Sequence, residues 1–148
     1  MREIKNALAS RIYDFKAEFY DVDSMCVLWH GNYVKYAESA RCRLLDEIQF
    51  NYNDMQGNGF AMPIIKMDFK FIAPILFNEH FSVRIDLLEF ENLLRFQYIF
   101  LDSKHQKRTI AQTSQVAVSI ANKEILYQIP SIFRDKITAF IHHTTEKK

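Results

Sequence analysis

The sequence contains few cysteines, glycines and prolines: two, three and three, respectively, among 148 residues. Cys26 and Cys42 form neither a CxxC pair nor the spacing of a zinc site. We therefore expect two free thiols, packed in or near the core, and no bound metal. With so little glycine and proline, the chain has no linker and no low-complexity segment. We predict one domain that spans residues 1–148.

The sequence also lacks a charge excess and a long apolar run. The chain has nineteen basic and eighteen acidic residues, which gives a net charge of +1. A nucleic-acid partner would require a basic domain or stripe, so we expect none. No run reaches the roughly 18 apolar residues of a membrane span, and residues 1–10 lack the apolar centre of a signal peptide. These absences favour a cytoplasmic protein without a transmembrane segment.

Apolar and aromatic residues are abundant, at 49% and 14% of the chain. A domain of this length buries roughly 70% of its unfolded surface, so a hydrophobic core needs no disulfide. Alternating apolar and polar residues predict half-buried strands at 11–20, 64–72, 81–87 and 94–100. Small and branched residues at 110–121 predict a strand that is buried on both faces.

A helical period replaces this alternation between Gly31 and about Gln49. Apolar residues recur there every three or four positions, which predicts one long amphipathic helix: Tyr33, Ala37, Ala40, Leu44 and Ile48. The segment 51–59 is rich in Asn, Asp and Gly, which predicts a turn. Residues 131–141 predict a short second helix.

The predicted order is a strand, a long helix, about four strands and a short helix. Consecutive strands with short connections become antiparallel neighbours. Only the long helix can cover the apolar face of the resulting sheet, so the sheet should curl around it. This is an α+β fold. Apolar residues that remain on the other face of the sheet indicate a dimer that buries them.

Reactive residue types are concentrated in the loop between the first strand and the long helix. Asp21, Asp23, His30, Asn32 and Tyr33 lie there among apolar neighbours, and such loops often have functional roles. The same residues also fit a structural role, with the aspartates as turn residues and His30 packed against its neighbour at the helix start. Local chemistry does not choose between these interpretations.

A family pattern covers this loop and the helix that follows it. Ten residues form the pattern: Tyr20, Asp21, Asp23, Val27, Trp29, His30, Tyr33, Glu38, Ala40 and Arg41. Together they resemble the 4-hydroxybenzoyl-CoA thioesterase family, and more closely its branch of small bacterial acyl-CoA thioesterases associated with the Tol–Pal system. The resemblance continues at 62–65, 71–74 and 129–130, and so covers nearly the whole chain.

The resemblance implies the hotdog fold, in which a curled antiparallel β-sheet wraps one long central helix and dimerises through the sheet. The order of elements predicted above agrees with it. The implied reaction is hydrolysis of an acyl-CoA, or of an acyl carrier protein thioester, to a free acid and a thiol. The coenzyme A thioester is then the substrate, and no cofactor is implied.

The resemblance also assigns roles to residues of the loop. Asp23 matches the catalytic carboxylate, as a base on water or as a nucleophile, and Asp21 supports the loop. His30 is a second catalytic residue. The helix-start N–H groups near His30 and Gly31 would stabilise the oxyanion. Cys26 is expected to pack rather than to react.

Substrate contacts are implied at Gly31, at Tyr33 and, across a dimer interface, at residues 62–64 (Met62, Pro63 and Ile64). The expected assembly is a homodimer or a homotetramer. Glu38 and Arg41 should form a local ion pair. Several basic residues fit either coenzyme A phosphates or a solvated strand face: Lys66, Lys70, Arg84, Arg95 and Arg108.

The alternative function is a non-catalytic hotdog dimer that binds acyl groups or a protein partner. The presence of both Asp23 and His30 favours the enzyme.

Overall fold

The computed structural model describes residues 1–146. Within these residues a short 3-10 helix, Phe19–Asp21, accompanies three α-helices and eight strands: β1 Ala9–Lys16, α1 His30–Ile48, α2 Tyr52–Gly57, β2 Phe60–Ala61, β3 Ile64–Phe71, β4 His80–Glu89, β5 Leu94–Asp102, β6 Lys107–Gln115, β7 Ala117–Ser119, β8 Ile125–Leu126 and α3 Ser131–Glu146. Five strands form an antiparallel sheet in the order β1-β4-β5-β6-β3, and β2, β7 and β8 form a small second sheet. The predicted α+β order is confirmed.

Helix α1 lies against the concave face of the large sheet. The five residues of its predicted apolar stripe are all at most 3% exposed. The facing residues of β4 and β5 are equally buried: Phe81, Val83, Ile85, Leu87, Leu94, Phe96, Tyr98 and Phe100. Because Ala37 and Ala40 have small side chains, the helix axis can approach the sheet closely. The predicted wrapping of the sheet around this helix is confirmed.

Several predicted boundaries are wrong. The strand predicted at 11–20 spans Ala9–Lys16, and the helix predicted at 131–141 extends to Glu146. The segment 51–59 contains helix α2 rather than only a turn, because Asn51 and Asp54 form a reciprocal capping box at its start. The predicted strand 110–121 ends at Gln115. After Val116 the chain leaves the large sheet and pairs with β2, so a single long strand does not form.

The outer face of the large sheet is covered by the chain's own N-terminal segment. The backbone of Ile4 exchanges two hydrogen bonds with the Gln97 side chain, at 2.7 and 2.9 Å, and Glu3 pairs with Arg84 of β4 and Lys107 of β6. Three apolar residues that point outward from β5 and β6 are buried within this chain: Ile99, Leu101 and Ile110. Ile12 of β1, which is paired with the outward-facing Arg84, is 53% exposed. Most of the outer face therefore needs no partner to bury it, and the dimer stays a prediction.

The open edge of the sheet gives a better reason to expect a second copy. In the described residues β3 pairs with β6 on one side only. Ile65 and Phe71 on this strand are 57% and 52% exposed. An apolar strand edge of this kind is a ready template for further strand pairing.

The predicted pair Glu38–Arg41 is present, at 3.4 Å, but Arg41 also reaches into the core. Its guanidinium donates to the hydroxyls of Tyr98 and Tyr52, at 3.0 and 2.8 Å, and the side chain is only 3% exposed. A buried cation needs such partners because desolvation is costly. Helical spacing alone gave no sign of this inward role.

Candidate active site

The loop between β1 and α1 forms a short hairpin. Asp23 donates its backbone N–H to Val27 O at 3.0 Å, and Cys26 donates to Asp23 O at the same distance. Cys26 has the left-handed φ of 60°, which turns the chain back. Leu28 then donates to Ile75 O at 2.7 Å, and this bond ties the hairpin to the segment that follows β3.

Asp21 anchors this hairpin to α1. Its side chain is fully buried and accepts hydrogen bonds from the Tyr36 hydroxyl, the Glu18 N–H and Lys35 Nζ. Burial raises the pKa of the Asp21 carboxyl, but these three donors outweigh it, and the pKa lies below its usual range. The backbone oxygen of Asp21 also accepts from the Trp29 N–H at 2.9 Å. Asp21 therefore occupies the supporting position predicted for it.

A cavity of about 360 Å³ opens beside the hairpin. Three of the predicted site residues line it together: Asp23, His30 and Tyr33. The remainder of its wall is apolar: Val27, Leu28, Phe71, Ile72, Ala73 and Pro74. This volume lies in the range of small-molecule sites, in which a few polar groups converge on an apolar wall.

Asp23 presents a partly occupied carboxylate to solvent. Its Oδ1 accepts from the Met25 N–H at 2.8 Å, whereas its Oδ2 has no hydrogen-bond donor among the described residues. One oxygen thus fixes the side chain, and the other is free to meet water or substrate. A general base requires this combination of orientation and access.

His30 begins helix α1, and its ring lies against Trp29 with 4.9 Å between the ring centres. The N–H groups of His30 and Gly31 belong to the first turn, where no acceptor exists within the helix. They lie at the positive end of the helix dipole. The start of α1 can therefore stabilise negative charge beside the cavity.

Tyr33 forms the buried end of the cavity. Its ring packs against Phe71 and Phe100, with ring centres 4.9 and 5.3 Å apart, and its hydroxyl accepts from the Ile75 N–H at 3.4 Å. Burial raises the pKa of the Tyr33 phenol despite this hydrogen bond. The phenol therefore stays neutral and acts as a wall rather than as a base.

Gly31 is a glycine for a reason that the sequence did not reveal. A Cβ atom at this position would lie 2.1 Å from Cζ3 of Trp29. The indole therefore occupies the face that was predicted to admit substrate, whereas the Gly31 N–H remains at the helix start. A substrate contact at Gly31 stays a prediction.

The other predicted substrate residues lie away from this cavity. Met62 is buried, Pro63 is exposed and Ile64 is half-buried; all three lie at or just before the start of β3, whereas Phe71 ends the strand. Seven residue steps at about 3.3 Å separate the two ends by about 23 Å. Within one chain these residues do not line the cavity, so their role across a dimer interface stays a prediction.

Sequence reasoning missed several residues of the wall, from Val27 and Leu28 to the segment 71–74. The available signal was Pro74, which ends a strand with apolar residues next to a reactive loop. Cys26 is exposed rather than packed, because it lies at the hairpin tip. The expectation that it packs is wrong.

Most of the basic residues that could contact coenzyme A phosphates are already paired with carboxylates. Arg84 and Arg108 each pair with two carboxylates, at 2.7 to 3.1 Å, and Arg95 pairs with Glu89 at 3.7 Å. Such arginines hold strands together before they meet any ligand. The structure therefore favours the strand-face interpretation for these three.

Two further expectations concern absent features. Within residues 1–146, no three His, Cys, Asp or Glu side chains are grouped so that they could hold a metal ion. None of the helices in this part of the chain is both long and apolar enough to cross a membrane. The absence of a cofactor and the cytoplasmic location stay predictions.

Comparison with known proteins identifies the family. Residues 17–140 match the model of the thioesterase-like superfamily. The chain is 23% identical over 128 residues to an acyl-acyl carrier protein thioesterase, ATL3, of Arabidopsis thaliana, which covers 86% of this chain and 67% of that protein. In fold it is similar to a DHNA-CoA thioesterase from Staphylococcus aureus, with a TM-score of 0.79, 19% identity and coverage of 94% and 95% of the two chains.

A gentisyl-coenzyme A thioesterase has a similar fold, with a TM-score of 0.73 and 22% identity; the match covers 85% of this chain and 98% of that one. These neighbours confirm the predicted hotdog fold. The narrower resemblance to the Tol–Pal-associated branch stays a prediction. The chain belongs to the thioesterase-like superfamily and is a thioester hydrolase.

Proposed function

We propose that this chain hydrolyses the thioester of an acyl-CoA, or of an acyl carrier protein, with Asp23 as the group that activates water. One observation supports this most strongly: the Asp23 carboxylate and the start of helix α1 at His30 line the same cavity. A base and a site for the oxyanion are the two elements that acyl transfer to water requires.

The proposed reaction begins with the thioester carbonyl at the start of α1. Asp23 Oδ2 accepts a proton from water, and the water oxygen forms a bond to the carbonyl carbon. The carbonyl oxygen becomes an oxyanion beside the N–H groups of His30 and Gly31. One well-placed donor of this kind contributes about 3 kcal/mol to the stability of the transition state.

The tetrahedral intermediate then collapses, and the carbon–sulfur bond breaks. The thiolate leaves with the electron pair and takes up the proton that Asp23 had accepted. The products are a free acid and a thiol, and the carboxylate is regenerated. In this scheme the imidazole of His30 contacts the carbonyl or the attacking water.

The alternative is direct attack by Asp23 Oδ2 on the carbonyl carbon. The carbon–sulfur bond then breaks, the thiolate leaves with the electron pair, and a mixed anhydride with Asp23 remains for water to hydrolyse. A single turnover in water labelled with heavy oxygen can identify the anhydride route. If water cleaves the anhydride at the Asp23 carbonyl, the label enters Asp23, which direct attack of water on the thioester cannot produce. Label in the acid product alone fits direct attack of water and also cleavage of the anhydride at the acyl carbonyl.

The apolar wall of the cavity suits an acyl group or the pantetheine arm, and Phe71 at the end of β3 forms part of this wall. A second copy paired antiparallel along β3 would bring its Ile64 end next to Phe71. Residues 62–64 would then line the acyl pocket, as the family resemblance implies. We therefore include a homodimer in the proposal.

The proposal is tested by following thiol release from short, long and aromatic acyl-CoAs and from an acyl carrier protein thioester. Wild-type protein should hydrolyse at least one class, and Asp23→Asn should lower kcat for that class about a thousandfold. The preferred substrate identifies the acyl group and the carrier. Absence of hydrolysis by the wild type across the whole panel would refute the proposed substrates.

A further inference from the structure

We propose that Trp29 is a positioning residue of this site. Its indole packs on Gly31 and against the His30 ring, and so fixes the geometry at the start of α1. The inference rests on the proposed function, because this contact affects catalysis only if a thioester carbonyl binds at the start of α1.

Among the glycines, only Gly31 has the Trp29 indole packed against it, and we call this contact the seat of the indole. A Cβ atom there would meet three atoms of the six-membered ring of Trp29, at 2.1, 2.5 and 2.7 Å. At Gly57 and Gly59 a Cβ atom would meet nothing within 4 Å. Glycine within a helix costs roughly 0.5–1 kcal/mol relative to alanine. Glycine, although a poor helix former, therefore stands at the position where any larger residue would clash with the indole.

The backbone of Trp29 is fixed on both sides. Its N–H donates to Asp21 O at 2.9 Å, and its carbonyl accepts from the Asn32 N–H at 2.8 Å. Asn32 Nδ2 also donates to Asp21 O, at 2.7 Å. Because Asp21 is itself buried and held by α1, the indole starts from a rigid base.

Packing in the core does not explain this arrangement. Trp29 is 48% exposed, so about half of its large apolar surface gains nothing from burial. What it contacts is the helix start and the His30 ring, whose plane is tilted by 46° to the indole. His30 lines the cavity, whereas Trp29 is not among the residues that line it. Trp29 therefore acts through His30 and Gly31 and is not itself a catalytic residue.

The kinetic test is a double-mutant cycle on the best thioester substrate. Trp29→Ala and Gly31→Ala should each lower kcat about tenfold, with a smaller effect on KM, because one removes the indole and the other displaces it. The double variant should be no slower than either single variant, since both changes remove the same contact. Trp29→Phe should recover part of the loss. Gly57→Ala is the matched control and should leave kcat unchanged.

A second measurement detects the seat without catalysis. Trp29 is the only tryptophan in the chain, so its fluorescence reports this site alone. Gly31→Ala should shift the emission to longer wavelength and increase quenching by acrylamide, whereas Gly57→Ala should change neither. An unchanged emission in Gly31→Ala would refute the seat.

The kinetic outcomes are equally decisive. Losses that multiply in the double variant, or a normal kcat in Trp29→Ala, would refute the positioning role. A wild type that hydrolyses no thioester would refute the proposed function and the positioning role with it. In that case the fluorescence result still decides whether the indole sits on Gly31, so the two failures are distinguishable.

Discussion

The hydrogen bond from Tyr36 to Asp21 gives a quantitative prediction about the loop that holds the site. Tyr36→Phe removes one donor from a fully buried carboxylate and leaves Lys35 and the Glu18 N–H in place. Hydrogen bonds to charged groups contribute about 1.5–3 kcal/mol. Because two donors remain, we expect the free energy of unfolding to fall by about 1.5–2 kcal/mol, as measured by urea denaturation.

Tyr13→Phe provides a matched control. The Tyr13 hydroxyl also donates to a carboxylate, that of Glu47, but this acceptor is 40% exposed. Water can replace the lost donor there, so the cost should be about 0.5 kcal/mol. Equal costs for the two variants would refute the assignment of Asp21 as the buried anchor.

The difference in unfolding free energy between wild type and Tyr36→Phe should depend on pH, because the pKa of Asp21 is lowered. A carboxyl whose pKa is lower in the folded state adds stability above its unfolded pKa of about 3.9, and this stability is lost as the pH falls through the folded value. The pKa of Tyr36 is raised, by burial and by Asp21, so its hydroxyl keeps its proton. The difference in unfolding free energy between wild type and Tyr36→Phe should be constant from about pH 5 to 8 and should decrease below about pH 4. A difference that stays constant in acid would contradict the reasoning.

Three further predictions concern the core, a helix end and the sheet edge. Leu44→Ala empties a site that is 1% exposed and should cost about 3 kcal/mol in urea denaturation; a loss below about 1 kcal/mol would contradict the packing of α1. Gln49→Gly should stabilise the protein by about 0.5–1 kcal/mol, because Gln49 ends α1 at a left-handed φ of 67°; a lower melting temperature would contradict this. Ile65→Lys on the β3 edge should convert a dimer to a monomer in light scattering and lower hydrolysis. Ile12→Lys on the opposite edge, at 53% exposure, should do neither, and a dimer that survives Ile65→Lys would exclude pairing along β3.

Periodicity predicted the central part of the fold well. The stripe from Tyr33 to Ile48 is buried as expected, because a 19-residue helix with one apolar face has a single way to cover a curled sheet. The strands β4 and β5 also follow their alternation. Here the local pattern and the tertiary packing favour the same structure.

The wrong predictions occur where local chemistry competes with the global pattern. The Asn and Asp residues of 51–59 indicated a turn, but Asn51 and Asp54 cap a short helix instead. The apolar residues of the outer face were expected to require a partner, yet Ile99, Leu101 and Ile110 are buried within one chain. Neither the capping geometry nor a long-range contact of the N-terminal segment is visible in a periodicity.

The candidate site was predicted in part. The sequence and the family resemblance identified Asp23, His30 and Tyr33, which line one cavity. The role of Gly31 as the seat of Trp29 was not predictable, because it depends on the rotamer of one side chain. The apolar wall from Phe71 to Pro74 also depends on how β3 approaches the hairpin, which no local pattern specifies.

The central claim is that the Asp23 carboxylate is catalytic, as the base on water or as the nucleophile, and the kcat of Asp23→Asn tests it most directly. Asparagine keeps an oxygen that can accept from the Met25 N–H, so the hairpin should retain its shape while the base is lost. Ser24→Ala, one residue away and exposed, is the matched control. We expect kcat to fall about a thousandfold in Asp23→Asn and to stay at the wild-type value in Ser24→Ala. An Asp23→Asn variant that hydrolyses the best substrate at the wild-type rate would contradict the account.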